Sequence, residues 1–188
     1  MLQGEQGSAK STVTKLLRSI VDPFKPAIRS APRNEHELII SARNAWITAY
    51  DNLSGVNIAK SDAFCRLSTG GGFSARTLYS DDEETLFDVQ RPLILNGIDD
   101  IASRQDLADR AISITLPPIS DEDRKEEKQF LEEFELALPL ILGSLLSALS
   151  IALRELPQVE LTDRPRMADF ARLASAGEIG FGWSKGTF

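Results

Sequence analysis

An α/β fold with a five-stranded parallel sheet, a β-hairpin insertion and an α-helical tail is what the sequence predicts. Three observations carry that expectation. A glycine loop runs straight into a helical pattern at residues 4–20. Short apolar runs of strand length then alternate with helical periodicity up to Pro117-Pro118. Beyond that point only helical spacing continues, so the sheet portion, residues 1–118, precedes a helical subdomain, residues 119–188.

The elements follow in order. Residues 4–9 read as a loop and Lys10 opens a helix whose inward residues are expected to be Val13, Leu16, Leu17 and Ile20. Only Met1-Leu2-Gln3 precedes the loop, where a full central strand is expected, so the chain reads as a fragment. Pro23 and Pro26 break the helical pattern, and 27–29 is a short extended piece. Asn34 is placed to cap a second helix, with Glu37 at the reciprocal position. Residues 45–50, ending in Asp51-Asn52, suit a buried strand. A helix over 58–67 stops at Gly70-Gly71-Gly72. Residues 73–79 and 85–89 form a hairpin with an acidic tip at 81–84. Further strands are expected at 92–96 and 111–116. Ser120 with Asp123 predicts a capped helix start, and helices are expected near 130–138, 139–156 and 165–175.

Composition bounds the function. The 188 residues are 42% hydrophobic and 26% charged, with a formal net charge of -7. Duplex-binding modules draw affinity from a basic face, so this balance argues against broad surface binding and leaves room for a narrow basic pore. The single cysteine, Cys65, allows no internal disulfide, which fits a reducing cytoplasmic compartment. The apolar run 137–153 carries Pro139, Gly143 and three serines, and reads as a packed helix of a soluble domain, with no membrane span expected. His36 reads as solvated and Cys65 as a small core residue.

The chemistry sits at the first loop. Gly4-Glu5-Gln6-Gly7-Ser8-Ala9-Lys10-Ser11-Thr12 nearly fits the phosphate-loop pattern G-x-x-x-x-G-K-[ST]. In such a loop successive backbone N–H groups, at the positive end of the following helix, hold a phosphate. Lys10 reaches the β- and γ-phosphates of ATP, and the Ser11 hydroxyl ligates Mg²⁺. Ala9 departs from the pattern, which has glycine there. A methyl crowds the phosphate, although alanine suits a residue entering a helix. An acidic strand end should lie beside the loop on the metal side, and Asp51 supplies one; on its own, Asp51-Asn52 is equally good turn chemistry. Asn52 stands where many ATPases carry a glutamate; an amide orients water but cannot accept its proton. Asn96, closing an apolar strand, sits where ligands bind in open α/β sheets, or else caps the Asn96-Gly97 turn. Arg110 is a candidate trans-acting arginine finger, with Arg104 in competition; the plainer alternative is a salt bridge to Asp106 or Asp109.

In this order the pieces resemble the superfamily 3 helicase branch of the AAA+ ATPases, and most of all primase–helicase-type ATPases of phages and mobile elements. Residues 4–12 match motif A, 46–52 motif B, 69–76 the intervening motif and 91–96 the sensor motif. The resemblance covers about 4–118 and implies an ASCE-type sheet with strands near 1–3, 27–29, 46–50, 93–96 and 112–116. It also implies a homo-oligomeric, hexameric ring with ATP at subunit interfaces and Arg110 completing a neighbour's site. The 73–89 hairpin would line the pore and hold single-stranded DNA, with Arg76 on a phosphate. An acidic tip would repel that strand. Two other readings stay open: a nucleotide-dependent assembly switch that hydrolyses weakly, favoured by Ala9 and Asn52, and a small-molecule kinase, for which the tail offers no clear arginine lid.

Overall fold

The computed structural model describes residues 1–76, 84–98, 101 and 104–188, the side chains of 73–76 and 84–87 excepted. The chain divides into two compact units, Met1–Glu122 and Asp123–Phe188.

In the first unit, strands β1 (Leu2–Gln3), β2 (Arg29–Ser30), β3 (Thr48–Leu53), β6 (Leu93–Gly97) and β7 (Ile114–Thr115) form a five-stranded sheet. Its order is β2-β3-β6-β1-β7, and every pairing is parallel. Parallel neighbours need crossovers, supplied by helices α1 (Lys10–Val21), α2 (Glu35–Asn44), α3 (Ile58–Thr69) and the short α4 (Gln105–Ala108). Strand β6 lies between β1 and β3, so the loop leaving β1 and Asp51 of β3 flank one strand end. Asp51 lies within β3 because that strand runs on to Leu53 rather than stopping at residue 50. The antiparallel pair β4 (Phe73–Arg76) and β5 (Glu84–Phe87) stands apart, Arg76 opposite Glu84. The acidic tip at 81–83 lies outside the described residues.

The core is apolar where α2 and α3 pack: Leu38, Ile39, Ala42, Tyr50, Phe64, Leu67 and Leu95 are all buried. Helix α2 starts as its sequence dictates, with the Asn34 carboxamide oxygen accepting from Glu37 N at 3.0 Å. Glu37 returns the bond one residue early, accepting from Arg33 N at 2.9 Å. Helix α1 differs from expectation. Its buried residues are Thr14 and Arg18, and Leu17 is exposed. A polar pair can face inward because both side chains are bonded there. Arg18 donates to Ala27 O at 2.9 Å and to Asp22 Oδ2 at 3.0 Å. Asp22 in turn accepts from Ile47 N at 2.8 Å, fixing the end of α1 beside the start of β3.

The second unit holds α5 (Glu127–Glu155), a 3₁₀ turn at Leu156–Gln158, α6 (Ala168–Gly177) and a second 3₁₀ turn at Glu178–Phe181. Two expectations fail here. Pro139 lies inside α5 rather than between two helices, on an exposed stretch of that helix where a freed carbonyl is not shut in a core. Residues 121–123 form a turn, and α5 begins at Glu127 with no side-chain cap. The helix also buries small residues, Ala148 and Ala152, while Leu136 and Leu140 are 82% and 77% exposed. Close approach explains the choice. A Cβ at Gly180 would lie 2.7 Å from the Ala148 Cα, so the second 3₁₀ turn rests directly on the α5 backbone. By length and composition, α5 with the turn that follows it is long and apolar enough to cross a membrane.

Candidate nucleotide site

Residues 4–12, 51–52 and 97–98 converge at the carboxyl ends of β1, β3 and β6, the place where open parallel sheets bind ligands. Together Gln6, Gly7, Ser8, Ala9, Lys10, Ser11, Thr12, Asp51, Asn52, Gly97 and Ile98 line a cleft of about 480 Å³.

The loop is built from backbone constraints. Gly4 has φ 153°, and a Cβ there would meet Leu116 O at 2.4 Å, so only glycine lets the loop turn against β7's exit. Ala9 precedes α1 with φ 57° and ψ 23°, a left-handed residue rather than a helical one. The expectation that alanine suits helix entry is corrected: this position asks for the glycine of the motif. No side chain caps α1, and the first helical hydrogen bond runs from Val13 N to Ala9 O. The N–H groups of Lys10, Ser11 and Thr12 therefore point toward the loop, an anion-binding geometry.

The polar groups interlock. The Lys10 ammonium donates to Gly4 O at 2.7 Å, Glu5 O at 2.8 Å and Ser8 Oγ at 3.1 Å. The Ser11 hydroxyl donates to Asp51 Oδ2 at 2.5 Å, and Asp51 Oδ1 accepts from Asn52 N at 3.0 Å. Asn52 is exposed at φ 56°, in the left-handed region that asparagine tolerates. The paired oxygens of Ser11 and Asp51 fit a hard divalent cation shared with a nucleotide. Magnesium bound with phosphates needs only one or two protein ligands, so the lack of a larger carboxylate cluster among the described residues is no obstacle.

Other expected residues fall elsewhere. Asn96 is fully buried one residue before the cleft lining begins, because β6 continues to Gly97. Its Oδ1 lies 2.9 Å from the Thr14 hydroxyl, so the amide faces α1. Gly97 and Ile98 take the lining place that the sequence assigned to Asn96; the Asn96-Gly97 dipeptide was the available signal. A Cβ at Gly97 would meet Leu53 O at 2.6 Å, which is why this strand end is glycine. Arg110 follows α4 and donates to Asp106 O at 2.6 Å. The Asp106 carboxylate is held by Arg104 instead, which keeps it below the usual carboxylate range. Cys65 is buried with its thiol toward Asp106 O at 3.6 Å, and burial pushes that thiol up. His36 is exposed. The Arg76 side chain lies outside the described residues.

The family profile "Actinomycete integrative conjugative element replication protein" matches residues 1–183, nearly the whole chain. The chain belongs to that family. A comparison with curated proteins finds no match for this family member. Among solved structures, it is similar to JCV helicase, crystallised with a thiazolopyridinyl-phenoxyphenyl acetamide, at 14% identity and a TM-score of 0.44. That similarity covers 97% of this replication-family chain and 51% of the helicase chain, so it spans about half the helicase's length.

Proposed function

We propose that the chain is the ATP-binding and ATP-hydrolysing core of a helicase-like motor that replicates an integrative conjugative element in the cytoplasm. The observation that carries this reading is the Ser11–Asp51 pair at 2.5 Å, beside Lys10 and the uncapped start of α1 in one cleft. Membership of a mobile-element replication family supports the cellular role.

Each residue has a chemical task in this account. The amides of residues 7–12 bind phosphate oxygens, and Lys10 turns from its loop carbonyls to the β- and γ-phosphates. Ser11 and Asp51 hold the cation side. Asn52 orients water without accepting its proton, and Asn96 supports the sensor strand. Magnesium, when bound with ATP, spreads positive charge over the β- and γ-phosphate oxygens. Arg110 serves a neighbouring copy's site in a hexameric ring, which it does by leaving Asp106 O for the γ-phosphate. Single-stranded DNA passes along the β4–β5 hairpin, with Arg76 on its backbone.

One observation favours a second reading, a nucleotide-dependent assembly switch with weak hydrolysis. Among the described lining residues Asp51 is the sole carboxylate, already engaged by Ser11, and Asn52 offers no base. Steady-state ATP hydrolysis with and without single-stranded DNA separates the two. The motor predicts DNA-stimulated turnover that Lys10→Ala lowers by at least about a hundredfold, the scale of removing a preorganised charge-stabilising donor. Turnover indifferent to DNA and to Lys10→Ala would sink the motor reading.

A further inference from the structure

Thr14 and Asn96 are both fully buried, and they join the helix that follows the phosphate loop to the strand that ends in the cleft wall. Thr14 Oγ1 lies 3.0 Å from Lys10 O and 2.9 Å from Asn96 Oδ1. A hydroxyl has one proton, so it cannot donate fully to both oxygens. Donation to the carbonyl one turn back is the common choice for threonine in a helix. The remaining lone pair then suits the Asn96 amide nitrogen, which otherwise has no partner at all among the described residues. Either way one end of a buried amide stays unsatisfied, a cost rarely kept without a use.

The link has a position as well as a chemistry. Lys10, whose carbonyl Thr14 touches, belongs to the loop side of the cleft, and Gly97 and Ile98, just beyond Asn96, belong to its opposite wall. A leucine or valine at 14 would pack the same face without joining the two walls.

We propose that Thr14 is a positioning residue that couples the phosphate loop to the end of β6, and through it sets the preference for a nucleoside triphosphate over the diphosphate. The inference rests on the phosphate-loop reading. On that reading the diphosphate lies against the loop side, its amides, Lys10 and Ser11, whereas the γ-phosphate extends toward Gly97 and Ile98 and needs both walls at a fixed spacing.

The test measures ATP and ADP affinities, with magnesium, for wild type, Thr14→Val and Thr14→Ser, together with melting temperatures. Thr14→Val keeps shape and removes the hydroxyl. It is expected to leave ADP affinity unchanged and to weaken ATP binding roughly three- to tenfold, the worth of one neutral hydrogen bond. Thr14→Ser restores the preference. If Thr14→Val does not fold, Thr14→Ala carries the same comparison. Equal weakening of ATP and ADP, the mark of a merely structural role, would overturn the inference. So would an unchanged preference in Thr14→Val, a serine variant as poor as the valine, or a wild type that does not distinguish the two nucleotides. Wild type binding neither nucleotide would instead bring down the phosphate-loop reading itself, and this inference with it.

Discussion

Ala9 carries a left-handed backbone that costs an L-residue roughly 1–2 kcal/mol, and it does so at the mouth of the phosphate loop. Ala9→Gly removes the Cβ penalty and returns some of it as unfolded-chain entropy, so a net gain of about 0.5–1 kcal/mol in urea unfolding is expected. A loss of stability would mean that the backbone at Ala9 is not left-handed in solution. At Asp22, burial raises the pKa, but Ile47 N–H and the Arg18 guanidinium more than offset it and hold the carboxylate below its ordinary 3.8. The unfolded chain therefore takes up the proton first. The stability that Asp22 contributes is complete above about pH 5 and is lost as pH falls through the lowered folded value. Asp22→Asn should cost about 2 kcal/mol at pH 7, less than a fully buried pair because Asp22 keeps some solvent, and the cost should shrink as the pH falls below the ordinary 3.8. A penalty that does not change with pH would contradict the assignment.

Elements were legible where one rule decided them. Asn34 capped α2, Gly70 ended α3 at φ 80°, and short apolar or extended runs, with the strand at 1–3 that the resemblance implied, placed the five sheet strands within a few residues. The failures came from polar or small partners that apolar periodicity does not register. Arg18 goes inward only because Asp22 and Ala27 are waiting, and nothing in the period of α1 announces them. In α5 the leucines invited a packed helix, but the small residues are what its neighbours need for close approach, Ala148 for the second 3₁₀ turn and Ala152 for Gly177 at the end of α6. Gly180→Ala brings a methyl 2.7 Å from Ala148 Cα, and the second unit should lose about 1–3 kcal/mol. Far-ultraviolet circular dichroism through a thermal ramp would register that loss, and unchanged melting would disprove the close approach.

At the scale of the molecule, the sheet order places β6 between the strand that feeds the phosphate loop and the strand that carries Asp51. That order could not be read from the sequence, since strand propensity says nothing about who neighbours whom. Most of the cleft could be, because motif A and Asp51 each demand a recognisable residue type. Thr14 and Ile98 could not, having no signature outside three dimensions. Mg-ATP bound in this cleft through Lys10 would favour the folded state and raise its melting temperature. Thermal unfolding with and without Mg-ATP, on wild type and on Lys10→Ala, measures that rise. A concentration-dependent rise is expected for wild type and little or none for Lys10→Ala; equal shifts in both, or none in wild type, would rule out Lys10-dependent nucleotide binding.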